Sequence, residues 1–153
     1  MKIVICGAGL VGSAIASHLC EEQNDVTVVD SSQENIQRIT DQNDVHGVVG
    51  VASHPDRLAE AGLADAELLI AVTESDEINM VACQVSHTIF NTPVKIARIR
   101  NQAYLNPIYG DLYSPDEMPI DHIISPDREV SAAVSNQLRV PRAIDVQDMC
   151  DGK

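Results

Sequence analysis

Gly7-Ala8-Gly9-Leu10-Val11-Gly12 stands directly behind the short apolar run Ile3-Val4-Ile5-Cys6. A second apolar run, Val26-Thr27-Val28-Val29, ends on Asp30, 23 residues beyond Gly7. A glycine pattern alone occurs in many ordinary turns. With a strand before it, a helix pattern after it and an acid at this distance, it specifies a strand-helix-strand unit that binds a dinucleotide. The first glycine permits the tight turn, the second lets the backbone approach a pyrophosphate, and the third lets the helix pack close to the sheet. The helix N-terminus offers free N–H groups and the positive end of its dipole to phosphate. Asp30 is placed to accept hydrogen bonds from ribose hydroxyls. Its charge repels a 2′-phosphate, which favours NAD(H) over NADP(H).

The rest of the chain repeats the alternation that the first unit begins. Strands are expected over Lys2–Cys6, Val26–Asp30, Gly47–Val51, Leu68–Val72, Val94–Ile99 and His122–Ile124. The first helix is expected to turn Val11, Ala14, Ile15, His18 and Leu19 to one face. Ser31 and Glu34 suit a capping box for the second helix, which carries Ile36 and Ile39 inward. Ser53 and Pro55 open a short third helix, Leu58-Ala59-Glu60-Ala61, that stops at Gly62. A longer helix shows Ile78, Val81, Ala82, Val85 and Ile89 at helical spacing. Asn101–Pro119, rich in Pro, Asn, Asp and Tyr, reads as irregular with one helical turn. Ser125-Pro126 starts a last helix, striped by Val130, Ala133, Val134 and Leu138 and ended by Pro141. Nearly continuous apolar strands alternating with helices predict an α/β, Rossmann-type, doubly wound parallel six-stranded sheet, ordered 3-2-1-4-5-6, with helices on both faces. The ligand crevice is expected at the carboxyl ends of strands one and four, where the winding reverses.

Composition narrows the function. The net charge of −13, from 23 acidic and 10 basic residues, argues against nucleic acid and against electrostatic attachment to anionic lipid. No apolar run approaches the ~20 residues that span a bilayer, and the N-terminal pattern is not that of a signal peptide. Cys6, Cys20, Cys83 and Cys150 form no metal-binding spacing with one another or with the histidines. Cys6, in an apolar strand, and Cys20 and Cys83, in helix patterns, read as buried thiols of a reducing cytoplasm.

Two further clusters face the crevice. In Thr73-Glu74-Ser75-Asp76-Glu77 the last three residues suit helix capping, with Thr73 or Ser75 as N-cap and acids complementing the dipole. Thr73, and beside it Glu74, are also placed to meet a ligand. Arg98 and Arg100 alternate along strand five and so share a face. Phosphate or carboxylate binding and a salt bridge to a neighbouring acid are both open to Arg100, whereas Arg98 points to ligand or interface. No residue set for hydride transfer accompanies the cofactor motif: there is no Tyr-x-x-x-Lys, no GxSxG and no Cys/His pair.

Taken together, Gly7–Gly12, Asp30, Ala61-Gly62 with Ala64-Asp65-Ala66, Ala71-Val72-Thr73 with Asn79, and Ala97-Arg98-Ile99-Arg100 with Tyr104 resemble the TrkA N-terminal (RCK/KTN) domain of potassium uptake systems. The likeness runs over almost all of residues 1–142. It implies a regulatory subunit that lies in the cytoplasm, peripheral to the inner face of the plasma membrane. It further implies that this subunit binds NAD(H), or ATP/ADP as in related members, and gates a membrane potassium transporter. The nucleotide contacts it implies are Gly7, Ala8, Gly9, Leu10, Val11 and Gly12 of the loop, with Asp30, Thr73, Glu74 and Arg98. Residues 1–125 would form the NAD-binding domain and residues 126–141 a crossover helix pairing the chain as a homodimer or higher homo-oligomer. Residues 142–153 would link to a C-terminal subdomain beyond this sequence. One departure is local: family members often carry an acid or amide after the glycine that ends strand three, but here Val51 follows Gly50, which leaves Ser53 as the nearby polar group. Two other readings remain, a fragment of an NAD-dependent oxidoreductase and an interaction module whose pocket is empty.

Overall fold

The computed structural model describes residues 1–125; the helix expected from Pro126, the segments 126–141 and 142–153, and Cys150 lie outside the described residues. Six strands alternate with helices: β1 (Lys2–Cys6), α1 (Leu10–Glu21), β2 (Asp25–Asp30), α2 (Gln33–Gln42), β3 (His46–Val49), α3 (Pro55–Glu60), β4 (Leu68–Ala71), α4 (Asp76–Phe90), β5 (Val94–Arg98), α5 (Gln102–Leu105) and β6 (His122–Ile124). Short 3-10 turns occupy Leu63–Asp65 and Pro107–Tyr113. The sheet order is β3-β2-β1-β4-β5-β6, the order expected from the sequence. The ladders joining β1 to β2, β1 to β4, β2 to β3 and β4 to β5 are parallel. Met1–Ile123 form one compact unit. Among the described residues no helix is long and apolar enough to cross a membrane.

Alternation along the strands builds two cores. Ile3 and Ile5 of β1 join Val26, Val28 and Ile70 on the face covered by Ala16 of α1 and by Ile36 and Ile39 of α2. Val4 and Cys6 join Val29, Val48 and Leu69 on the face covered by Leu58 of α3 and by Met80, Ala82 and Cys83 of α4. Strands buried on both faces need apolar residues at successive positions, which is why they read as unbroken runs. Burial pushes the Cys83 thiol up to about 12 and raises that of Cys6 further. Both are therefore neutral packing groups rather than reactive thiolates.

Two helices turn inward only part of the face that their periodicity suggests: Ile15 and Leu19 on α1, and Ile78, Ala82 and Val85 on α4, pack against the cores. On α1 the buried residues are Gly12 and Ala16, while Val11, Ala14 and His18 are exposed. On α4 the buried face includes Asn79, Met80, Ala82, Cys83 and Ser86, while Val81 and Ile89 are exposed. On α1 small residues allow an approach that larger side chains would prevent. At Gly12 the reason is explicit, because a Cβ there would overlap the Gly7 carbonyl oxygen. Gly7 itself has φ +108°, and a Cβ on it would lie 2.8 Å from the Val72 carbonyl oxygen.

Several boundaries also move. Ser32, not Ser31, caps α2, its hydroxyl accepting from Asn35 N–H at 3.1 Å. The third helix begins at Pro55, with His54 rather than Ser53 at its N-cap. Gly62, at φ +82°, follows it in the left-handed conformation. Gly12→Ala is expected to lower the free energy of unfolding by about 1–3 kcal/mol through overpacking, read as a reduced midpoint in urea with an unchanged slope.

Candidate functional site

The loops after β1, β2, β3 and β4 enclose a cavity of about 560 Å³ whose lining includes Gly7, Gly9, Leu10, Val11, Asp30, Thr73, Glu74 and Arg98. Ala8 and Gly12 do not line it: Ala8 is fully buried and Gly12 sits beneath Gly7. A second concavity of about 590 Å³ lies open on α2 among Gln33, Glu34, Gln37, Arg38, Asp41 and Gln42. It holds none of the convergent loop groups and lies away from the carboxyl ends of β1 and β4.

One half of the cavity is built on β1, β2 and β3. Gly9 occupies the N-cap of α1 and supplies no side-chain cap. The serine hydroxyls at the starts of α2 and α4 do supply one. The first-turn N–H groups of α1 therefore lack the usual side-chain acceptor and face a site suited to an anion. Around Gly9 a Cβ would meet nothing within 4 Å, so this glycine leaves open space at the helix start. Asp30 stands across the loop. Its Oδ2 accepts from Ala8 N–H at 2.7 Å and its Oδ1 from Ser32 N–H at 2.7 Å. Each carboxylate oxygen keeps a second lone pair, so Asp30 can brace the loop and still accept from a sugar hydroxyl. Beyond it the lining is Ser31, Ser32, Asn35, Val51 and Ala52. Ser53 does not line the cavity, and the polar groups on this side come from the start of α2 instead.

The other half is the turn from β4 into α4. Ser75 is the N-cap, its hydroxyl accepting from Ile78 N–H at 3.2 Å. The Thr73 hydroxyl donates to Asn79 Oδ1 at 2.7 Å and accepts from Ser75 N–H at 3.2 Å. Arg98, 5% exposed, reaches under the turn and donates through Nη2 to the carbonyl oxygens of Val72 (3.0 Å) and Thr73 (2.7 Å). Its Nε is buried and has no partner among the described residues. Arg100 donates to the Glu74 carbonyl oxygen at 2.7 Å and pairs with its carboxylate at 3.2 Å. Both arginines thus reach the same turn, as their spacing predicts. Glu74 is 85% exposed in its side chain and lies 3.9 Å from Arg98 as well. Burial, then repulsion from Arg100, holds the Arg98 guanidinium below its ordinary pKa, with Glu74 and Asp76 opposing.

Two supporting residues escape a reading based on capping. Asp76 does sit in the first turn of α4, but it is buried. Its carboxylate accepts from Arg100 N–H (3.0 Å) and Asn101 N–H (2.8 Å). It therefore serves the chain leaving β5, which its place beside Ser75 does not reveal. Asn79, with no exposed surface, bonds both the Thr73 turn and the Arg98 carbonyl. A polar residue amid the apolar spacing of α4 is the signal that marks it. Among the described residues no cluster of histidine, cysteine and acidic side chains could hold a metal ion.

This arrangement suits an anionic ligand with a sugar hydroxyl. The uncapped helix start and the open space at Gly9 can take an anion, Asp30 can accept from a hydroxyl, and Arg98 stands at the far wall.

The family model described as TrkA-N domain matches residues 3–126. A relative from Azorhizobium caulinodans, described as Trk system potassium uptake protein TrkA, is 57% identical over 152 residues, covering 99% of this chain and 33% of the relative. The chain spans about a third of the length of this relative and of another, from Haemophilus influenzae. Among solved structures, the TrkA-N domain of inner membrane protein ybaL from Escherichia coli superimposes with a TM-score of 0.76 at 18% identity, covering 90% of this chain and 96% of that one. The GsuK channel bound to NAD gives 0.65 at 21% identity, covering 84% of this chain and 22% of that one. At these identities the structural likeness speaks for the fold.

Asp76→Ala is expected to cost about 2 kcal/mol in urea unfolding, because it strips the acceptor from two backbone N–H groups. Glu77→Ala, in the same turn but exposed, should cost no more than about 0.5 kcal/mol. Equal losses would mean that Asp76 acts only on the helix dipole.

Proposed function

Because this chain belongs to the TrkA-N domain family, we propose that it is the nucleotide-binding part of a regulatory subunit that gates a membrane potassium uptake transporter. The ligand class is NAD(H), with ATP/ADP as the other adenine nucleotides of suitable chemistry. The observation that carries this reading is the pairing of an uncapped α1 N-terminus with Asp30 across one cavity. In it the pyrophosphate lies on the loop from Gly7 to Gly12. Ala8 acts there through its link to Asp30 and Gly12 by letting α1 approach, while Leu10 and Val11 flank the ligand. Asp30 accepts from the ribose, and Thr73, Glu74 and Arg98 line the second half. The naming of the relatives as potassium uptake proteins and the NAD carried by the GsuK channel support the same assignment.

The role is to bind and report. A nucleotide that favours one arrangement of an assembly over another shifts their populations by the difference in its two affinities. The subunit works in the cytoplasm at the inner face of the plasma membrane, paired as a homodimer or higher homo-oligomer. Residues 1–125 hold the nucleotide.

Thermal unfolding with NAD, NADH, ATP and ADP tests the ligand class directly. A ligand at 100 times its Kd should add about 2.7 kcal/mol, and no shift with any of the four would sink the reading. Asp30→Ala should weaken NAD(H) by about tenfold or more, as expected for losing a charged acceptor. It should also narrow the preference over NADP(H), measured by calorimetric titration with each cofactor.

A further inference from the structure

We infer that Asn79 is a positioning residue for the second half of a bound dinucleotide, setting affinity there without touching the ligand. The inference rests on the nucleotide reading above. Asn79 is fully buried on α4 and does not line the cavity. Its carboxamide uses all of its hydrogen-bonding capacity on two segments. Oδ1 accepts from Thr73 N–H at 2.8 Å and from the Thr73 hydroxyl at 2.7 Å. Nδ2 donates to the Thr73 carbonyl at 3.2 Å and to the Arg98 carbonyl at 2.8 Å. The side-chain orientation follows from this pattern, since two donors face one end of the amide and two acceptors the other.

The polar groups of Thr73, N–H, C=O and hydroxyl, are thereby held by Asn79, while Arg98 holds the same carbonyl from the other side. One residue earlier the sheet takes over, because Val72 N–H donates to the Cys6 carbonyl at 2.8 Å. The wall formed by Thr73, Glu74 and Ser75 therefore depends on Asn79, whereas Val72, against which Gly7 packs, does not. The consequence is a division of the cavity. A mononucleotide needs only the loop, Asp30 and the residues beyond it. A dinucleotide also needs the second mononucleotide half, whose wall Asn79 sets.

AMP and NAD separate these halves. Calorimetric titration of the 153-residue chain and its Asn79→Ala variant with each ligand should show NAD weakened about tenfold or more and AMP altered less than about threefold, the size expected when a fully satisfied buried amide is lost. A general loss of folded protein would lower both affinities alike, and that result, or an unchanged NAD affinity, would overturn the role. Should the variant not fold, amide hydrogen exchange in the native chain decides. The Thr73 amide is expected to exchange at least about a hundredfold more slowly than an open surface amide, and exchange at the open rate would overturn the inference. Failure of the native chain to bind either AMP or NAD would overturn the nucleotide reading and this role with it. Native binding with equal losses in the variant would overturn the role of Asn79 alone.

Discussion

The cavity exists because the chain leaves β1 and β4 toward opposite faces of one sheet. After β1 it turns into α1, and after β4 into α4, so neither connection covers the gap between them. Two loops with different covalent destinations must nonetheless pack edge to edge there, and Gly7 makes that contact possible. Its positive φ turns the chain away from the strand, and its missing side chain admits the Val72 carbonyl. Gly12 then brings α1 down onto the same spot. Remove either accommodation and the helix start moves away from Asp30, on which the reading of the site depends.

Much of this was legible in the sequence, and the reasons differ by residue. Strand positions are readable because burial on both faces demands unbroken apolar runs, and the order of the sheet follows from the alternation with helices. The glycine loop and Asp30 are readable because close backbone approach and a carboxylate at that distance have few other uses. The inward faces of α1 and α4 were less so. Periodicity ranks residues by size and hydrophobicity, and here the small Gly12 and Ala16 are buried while Val11, Val81 and Ile89 stay exposed. Asp76 was hidden for another reason. Its partners are the backbone N–H groups of Arg100 and Asn101, more than twenty residues away, and sequence spacing carries no information about them. The contrast between Ser31 and Ser32 is smaller: two adjacent serines satisfy the same capping pattern, and only the path of the backbone chooses.

The electrostatics of the site are local rather than global. A chain with a net charge of −13 still gathers Arg98 and Arg100 beside one wall of the cavity, with Glu74 between them. Arg98 is spent largely on main-chain carbonyls, so it acts first as a brace. Its Nε is buried as well, so what Arg98 offers the cavity is its charge more than a free donor. Glu74, by contrast, is held from outside by Arg100 and stands exposed to solvent. The two arginines thus have separate duties although their spacing along β5 makes them look equivalent.

Gly9 differs from its two companions in a way that bears on how such a domain tolerates change. Gly7 and Gly12 are held by neighbours, and any side chain there meets protein. Around Gly9 there is only room. A collection of variants sorted by whether they fold would discard changes at the first and third glycines while keeping those at the second. The second would therefore look dispensable in every assay except one that contains the ligand. Folding and recognition impose separate demands on a single six-residue loop, and a record of mutational tolerance has to be read with and without nucleotide before either demand can be assigned to a position.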